Sequence, residues 1–474
     1  MKKTAILMAL LLLLPLLGAC FSDPDAPAPP SQSAGPSASA PSPGSSGNAA
    51  DSASPSDQTP DEPDEPDEPD DTVVLPDYNV TGKTARMMSW WSQEDGKTSA
   101  DKFKDIYGGE IVFDQVAWDK MADQLASEVM SGNPPDIVMM NTFGTYVYPA
   151  RGFLQPLDDH IDFDSNLWKP LKDFNMELKF GGSLYTVVTT TSVGYFVWYN
   201  RDTFEAYGLD DPQELHDRGE WTYSKFLEYA IELTDTADGA GKYGLTAPYY
   251  LLGECVLASL KTDLVIMGAD GQFSHNLNDP RIALSVDTVY DLYQRYNVVH
   301  PSVNYMQTFA RGNAAMFLEG LWLANAEPMQ SMLRNGTIGC VMWPRWDTEG
   351  DSQWAIFNGL GIPKGAKDLD LSLAVLNSFR YSYPEGTPQW EENRQKFFDA
   401  GWTQWDANHR VDANKAVFPS KYRLIPDSFY NNMITLYFGN STFAEARAVR
   451  EPLMQKALDE FNAMMRGEEW NPEE

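Results

Sequence analysis

Between residues 84 and 141 the apolar positions alternate between two spacings. Residues 86–92, 110–116 and 136–141 are short extended runs of strand length. The segments between them, 99–107 and 118–131, read as helices. Met121, Leu125 and Val129 recur every fourth residue, and Gly108 and Gly132 stand where each helix should stop. Three strands joined by two helix-length crossovers predict a parallel sheet. Ligands bind such sheets beyond the carboxyl ends of the strands. That rule nominates Trp91, Gln93 and Glu94 at the end of the first strand, with Trp90 beside them, and Asn141 and Thr142 at the end of the third.

The pattern changes at 184–199, a long run of β-branched and aromatic residues. One strand of that length exceeds the usual limit of about 10 residues. Thr189, Thr190, Thr191 and Ser192, followed by Gly194, let the run leave one sheet and enter another, so it reads as a hinge between two lobes. A helix follows at Asn200 and is closed by Gly208; a second has Thr222 as its N-cap, with Phe226, Tyr229, Ala230 and Leu233 on its apolar stripe. Lys242 to Leu245 begins a second sheet, Tyr249 and Tyr250 come just after it, and Pro280 opens a helix with Ile282, Val286 and Val289 inward. Residues 312–322 read as a helical segment ending at Trp322. The stretches 339–343 and 355–362 read as strands returning toward the first lobe, which puts Trp343 and Asn358 beside the crossing. Residues 368–379 form a helix, and a last helix over 451–465 turns Leu453, Ala457, Phe461 and Met464 inward.

Several of these segments carry short motifs in a fixed order. Gly182-Ser183-Leu184-Tyr185 precedes Trp198-Tyr199-Asn200-Arg201-Asp202-Thr203-Phe204 and Gly208-Leu209. Upstream stand Ser131-Gly132-Asn133-Pro134-Pro135-Asp136 and Gly152-Phe153-Leu154-Gln155-Pro156-Leu157. Downstream stands the most specific run, Gly312-Asn313-Ala314-Ala315-Met316-Phe317-Leu318-Glu319-Gly320-Leu321-Trp322. Over roughly 84–380 the chain resembles the extracellular solute-binding proteins of carbohydrate ABC importers, the family that includes maltose-binding protein. The resemblance implies a two-lobed α/β fold of the type II periplasmic-binding-protein kind. Each lobe would be a mainly parallel sheet flanked by helices, joined by a multi-strand hinge. It places lobe 1 at 77–192 plus about 357–400, and lobe 2 at 193–356 plus about 401–474. It also implies that Trp322 stacks on a sugar.

The first 76 residues have a different character. Lys2 and Lys3 precede an apolar run over 5–17, which is shorter than the ~20 residues needed to span a bilayer. Leu17-Gly18-Ala19-Cys20 resembles a bacterial lipobox, so 1–20 reads as a lipoprotein signal with Cys20 as the lipidated residue. Residues 21–76 hold twelve acidic residues, no Lys or Arg, and three Asp-Glu-Pro repeats. Such a composition cannot offset the entropy of ordering, and reads as a disordered tether of about 40 Å as a coil and up to about 170 Å if extended.

The whole chain has a net charge of −33. Setting aside the two signal lysines and the twelve tether acids leaves −23 on 77–474, a surface that repels nucleic acid. Beyond Cys20 only Cys255 and Cys340 remain, and their pairing is open.

Catalytic and nucleotide motifs are missing. Gly82-Lys83-Thr84 and Gly96-Lys97-Thr98 lack the first glycine of a phosphate-binding loop; no HExxH, GxSxG or zinc-spaced cysteine pair occurs. Asp158, Asp159, Asp162 and Asp164 lack the glycine turn of a calcium loop and read as a solvated acidic loop. Aromatic residues are more informative, since only Phe21 of the 59 lies before Tyr78. Flat rings pack on the C–H faces of sugars, and polar side chains bind the hydroxyls. The expected ligand-binding set is therefore Trp90, Trp91, Gln93, Glu94, Asn141, Thr142, Thr191, Tyr249, Tyr250, Trp322, Trp343 and Asn358. The chain reads as a monomeric, lipid-anchored protein on the outer face of a bacterial membrane. It would hand a carbohydrate to importer permease subunits, with no cofactor, no metal and no catalysis. An anchored glycan-processing enzyme and a ligand-sensing subunit of a signalling system are the alternatives.

Overall fold

The structure is a computed structural model that describes residues 72–468, apart from 141–143, 237–240, 269, 347–351, 415–416 and 426. The signal and most of the tether lie outside the described residues, as do Asn141 and Thr142. Residues 72–76, expected in the tether, instead lie on the first lobe. Val73, Leu75 and Tyr78 pack against its core, and the Tyr107 hydroxyl donates to the Pro76 carbonyl at 3.2 Å. Three apolar side chains in seven residues suffice to dock a segment that the acidic repeats upstream could not hold.

The first sheet has six strands in the order β12-β11-β3-β1-β2, and β4 also pairs with β11. β1 (Thr84–Ser89) runs parallel to β2 (Glu110–Gln115) and β3 (Ile137–Met140). The crossovers are the helices Lys97–Tyr107, ended by Gly108 in the left-handed region, and Met121–Met130. Ala85, Met87 and Met88 are all fully buried, as expected of a strand covered by helices on both faces.

β4 (Val187–Val193) pairs antiparallel with β11 (Gln353–Gly361). Two residues later β5 (Phe196–Asn200) is already in the second sheet. The chain thus changes sheets at Gly194 and Tyr195, inside the run expected to be the hinge. The second sheet has the order β10-β5-β9-β6, with β6 (Tyr243–Thr246), β9 (Ala314–Glu319) and β10 (Ile338–Met342). It is not mainly parallel. β5 runs antiparallel to both β9 and β10, and only β6 and β9 are parallel. The strand that runs against its neighbours, β5, is the one that enters from the first sheet straight out of β4. A hairpin of β7 (Val265–Met267) and β8 (Phe273–His275) stands apart, and β12 (Val417–Phe418) pairs with the start of β11.

Three other expectations change. Residues 314–319 are a strand, not a helix. Ala314 to Leu318 are all buried, and a short continuous apolar run has no period that separates buried strand from buried helix. The helix Pro388–Asp399, expected in lobe 1, stacks Phe397 on Trp402 at 5.8 Å, and Trp402 packs on Trp198 at 5.7 Å. The chain has therefore left the first-sheet core before this helix rather than near 400. The last helix is longer than expected, Phe443–Met465, and starts at a capping box of Thr442 and Glu445. Its buried face carries Met454, Leu458 and Phe461, while Leu453 faces solvent. Cys255 and Cys340 are both buried and unpaired.

The second sheet is tied to its helix layer by a backbone-to-backbone contact. The helix Tyr223–Glu232 crosses β6 so closely that a Cβ on Gly244 would lie 2.1 Å from the Ala230 carbonyl oxygen. No side-chain adjustment relieves a clash with main chain. Gly244→Ala should therefore lower the unfolding free energy by about 1–3 kcal/mol or more, as overpacked cores do. A urea melt read by tryptophan fluorescence checks this, and an unchanged midpoint would contradict the contact.

Candidate ligand-binding cleft

Strand direction brings two rims into being. On the first lobe, β1, β2 and β3 run parallel, so the residues that follow them emerge on one edge. Trp90 and Trp91 follow β1, and the Trp91 amide donates to Ser89 Oγ at 2.9 Å. The next turn is closed by Asp95, which accepts from the Ser92 amide and hydroxyl at 2.9 and 2.7 Å. Trp118, just past β2, meets Trp90 edge to face at 4.6 Å and is 40% exposed. Together they form an aromatic shelf on this rim.

On the second lobe, Phe196 pairs with both Glu319 and Met342. The start of β5 and the ends of β9 and β10 therefore share one edge. β6 runs parallel to β9 with Thr246 opposite Phe317, which delivers Ala247, Pro248 and Tyr249 to the same edge. The rim so formed carries Tyr195, Tyr249, Glu319 and Trp322. The Trp322 ring folds back over Gly320, where a Cβ would lie 2.1 Å from it. Its edge contact with Tyr195 is at 5.9 Å, and it remains 51% exposed. Tyr249 meets Phe438 edge to face at 4.8 Å.

A buried ion pair supports this rim from beneath. Glu254, on the helix Tyr249–Ser259, is fully buried and bonded to the Arg423 guanidinium. Arg423 also donates to the Tyr195 hydroxyl at 2.7 Å and lies over its ring at 5.4 Å. Breaking such a pair strands a charge in the interior, at about 3–5 kcal/mol. Tyr195, and through it Trp322, is thus held by a contact that resists rearrangement.

Glu319 is the titratable group of the rim. One carboxylate oxygen accepts from the Gly320 amide at 3.0 Å. Burial, with the Glu254 charge adding to it, pushes the carboxyl up to about 7. The folded chain therefore holds this proton to higher pH than the unfolded chain does. The group costs stability increasingly as pH rises from the ordinary carboxylate range through about 7.

A model of the bacterial extracellular solute-binding protein family matches residues 83–378. The chain belongs to that family. Solved structures agree on the fold of this solute-binding protein. A cyclo/maltodextrin-binding protein complexed with maltotetraose superposes with a TM-score of 0.59 at 16% identity, over 79% of this chain and 97% of that one. The sugar-binding protein MalE of Xanthomonas citri gives 0.59 at 14%, over 81% and 98%. An ABC substrate-binding protein of Listeria monocytogenes in complex with cycloalternan gives 0.55 at 17%, over 82% and 100%. At these identities the likeness establishes the two-lobed fold.

The nominated residues of this solute-binding protein divide into three groups. Trp90, Trp91 and Glu94 lie on the first rim, and Tyr249, Tyr250 and Trp322 on the second. Thr191 and Asn358 lie in the hinge pair, where Asn358 Nδ2 donates to Thr190 Oγ1 at 3.1 Å and Thr191 stands opposite Phe357. Gln93 and Trp343 do other work. Gln93 clasps β2, donating to the Ile111 carbonyl at 3.1 Å and accepting from the Phe113 amide at 3.0 Å. Both its polar atoms are engaged by the first sheet. Trp343 is only 1% exposed, 4.9 Å from Phe226 in the second-lobe core, so it cannot reach a ligand. Trp118, Tyr195, Glu319 and Phe438 were not nominated. Trp118 follows a predicted strand and could have been found by the same strand-end rule; Glu319 ends a strand that was read as helix, and Phe438 had no local signal. A separate hollow of about 690 Å³, lined by Lys179, Phe180, Met267, Asp270, Lys421 and Met465 among others, holds none of the nominated residues.

Proposed function

We propose that the protein captures a carbohydrate, an oligosaccharide in particular, between its two rims and delivers it to the permease subunits of an ABC importer. The observation that carries the reading is the aromatic content of both rims. Trp90 and Trp118 on one side, and the half-exposed Trp322 on the other, offer flat apolar faces to a sugar ring. The similar structures include complexes with maltotetraose and cycloalternan, which supports the ligand class. Capture proceeds by hinge closure without covalent chemistry. A ligand touching both rims favours the closed state by its differential affinity. In this reading the protein is a monomer, held outside the bacterial membrane by lipid on Cys20 and by the acidic tether.

Two outcomes are expected. Trp322→Ala should weaken binding of the cognate sugar by roughly 30- to 2000-fold. A lost stacking contact is worth about 0.5–1.5 kcal/mol and lost burial about 1.5–3 kcal/mol. Its melting temperature should barely change, because the side chain is 51% exposed. Calorimetric titration beside a thermal melt reads both, and normal affinity would take Trp322 out of the site. For the anchor, Cys20→Ser should leave the protein unprocessed or shed it into the medium. A processed variant that still sediments with membranes would refute lipidation at that cysteine.

A further inference from the structure

Glu319 occupies a position that bears on which sugars can enter. It is the last residue of β9, next to Gly320 and three residues before Trp322, on the edge shared with Tyr195 and Tyr249. The Gly320 amide engages one carboxylate oxygen. The other makes no hydrogen bond or ion pair to any described residue. The cation that supports this rim, Arg423, is already bonded to Glu254 and Tyr195. Among the described residues no cation pairs with this rim carboxyl, on a chain that is itself strongly acidic.

We propose that Glu319 sets the charge class of the ligand: its carboxyl hydrogen-bonds hydroxyls of the captured sugar and turns away sugars that carry carboxylate or other anionic groups. The inference rests on the carbohydrate reading and narrows it to neutral or amino-bearing chains. A carboxylate accepts hydroxyl protons strongly, and like charges repel more in a partly desolvated cleft than in water. The charge of Glu254, on the helix Tyr249–Ser259, acts on Glu319 and Cys255, and that of Glu319 acts on Cys255 and Tyr305, while the nearby cation Arg423 is bonded to Glu254 and Tyr195. The group's own titration near neutrality supplies a handle, since the rejection weakens once the carboxyl is protonated.

The test uses the full chain and matched probes: maltotetraose, cellotetraose and mannotetraose, each beside the same tetramer oxidised at C6 to the uronate. Affinities are measured by calorimetry at pH 8.0 and pH 5.5, where the uronates stay ionised. The wild type should bind its best neutral tetramer at least tenfold tighter than the uronate at pH 8.0, with a smaller ratio at pH 5.5. Glu319→Gln should bring the ratio to within about threefold at both values. A thermal melt of Glu319→Gln within a few degrees of the wild type reports an intact fold, independently of its sugar affinity. Equal affinities in the wild type at pH 8.0, or a ratio that Glu319→Gln leaves unchanged, would overturn the proposal and leave the carbohydrate reading standing. Failure of every tetramer, neutral and oxidised, would overturn the carbohydrate reading and this inference with it.

Discussion

The molecule depends on the antiparallel pair of β4 and β11. Their ladder runs from Val193 opposite Ala355 to Val187 opposite Leu360; β4 leads within two residues into β5 of the second sheet, and β11 follows β10 in chain order. The ladder is main-chain hydrogen bonding and cannot be loosened without leaving buried polar groups unpaired. The ladder is interrupted once, by a register shift between Asn358 and Gly359, and beyond Val193 the chain passes to the second sheet. Gly194 lies at that passage; its amide donates to the Trp354 carbonyl at 3.1 Å. This ladder and the transitions at its end join the two sheets, and the proposed closure would bend the chain there.

What those bodies present follows from strand direction. Parallel β1–β3 send their carboxyl ends to one rim. In the second sheet the reversed β5 brings its start, with Tyr195, to the edge where β9 ends. The Glu254–Arg423 pair then braces Tyr195, and Tyr195 braces Trp322. In the proposed reading this rim is a pre-organised binding face. Its aromatic rings need little ordering when a ligand arrives, so less of the interaction energy is lost to entropy.

Much of this was legible from residue order. The βαβαβ start, a change of sheet inside the run 184–199 and the strand-end or motif positions of Trp90 and Trp322 follow from periodicity, strand length and motif, although the change falls at Gly194 and Tyr195 and the threonines expected to make it lie in β4. Other features were not, for identifiable reasons. The strand direction of the second sheet is a matter of pairing between strands distant in sequence, which no local pattern records. The buried run at 314–318 has no period. Trp343 and Trp322 both follow predicted or matched segments, yet one is core and the other half-exposed. Only the packing of Phe226 against Trp343 distinguishes them. Gln93 looked like a ligand contact because it is polar and follows a strand, but the same position suits it to clasp the neighbouring strand. The clustering of Tyr195, Glu254 and Arg423 joins residues far apart in sequence, and no spacing could have announced it.

The central claim is that ligand binding closes the two lobes about this strand pair. Met130 on the first lobe and Val449 on the second are 83% and 61% exposed, while Cys255 and Cys340 are buried. Spin labels at Met130→Cys and Val449→Cys, in a chain carrying Cys20→Ser, allow the interlobe distance to be measured by double electron–electron resonance. Saturating neutral oligosaccharide should replace a broad or long distance distribution with one narrower, displaced population. Binding proved by calorimetry with an unchanged distribution would contradict hinge closure as the mechanism of capture.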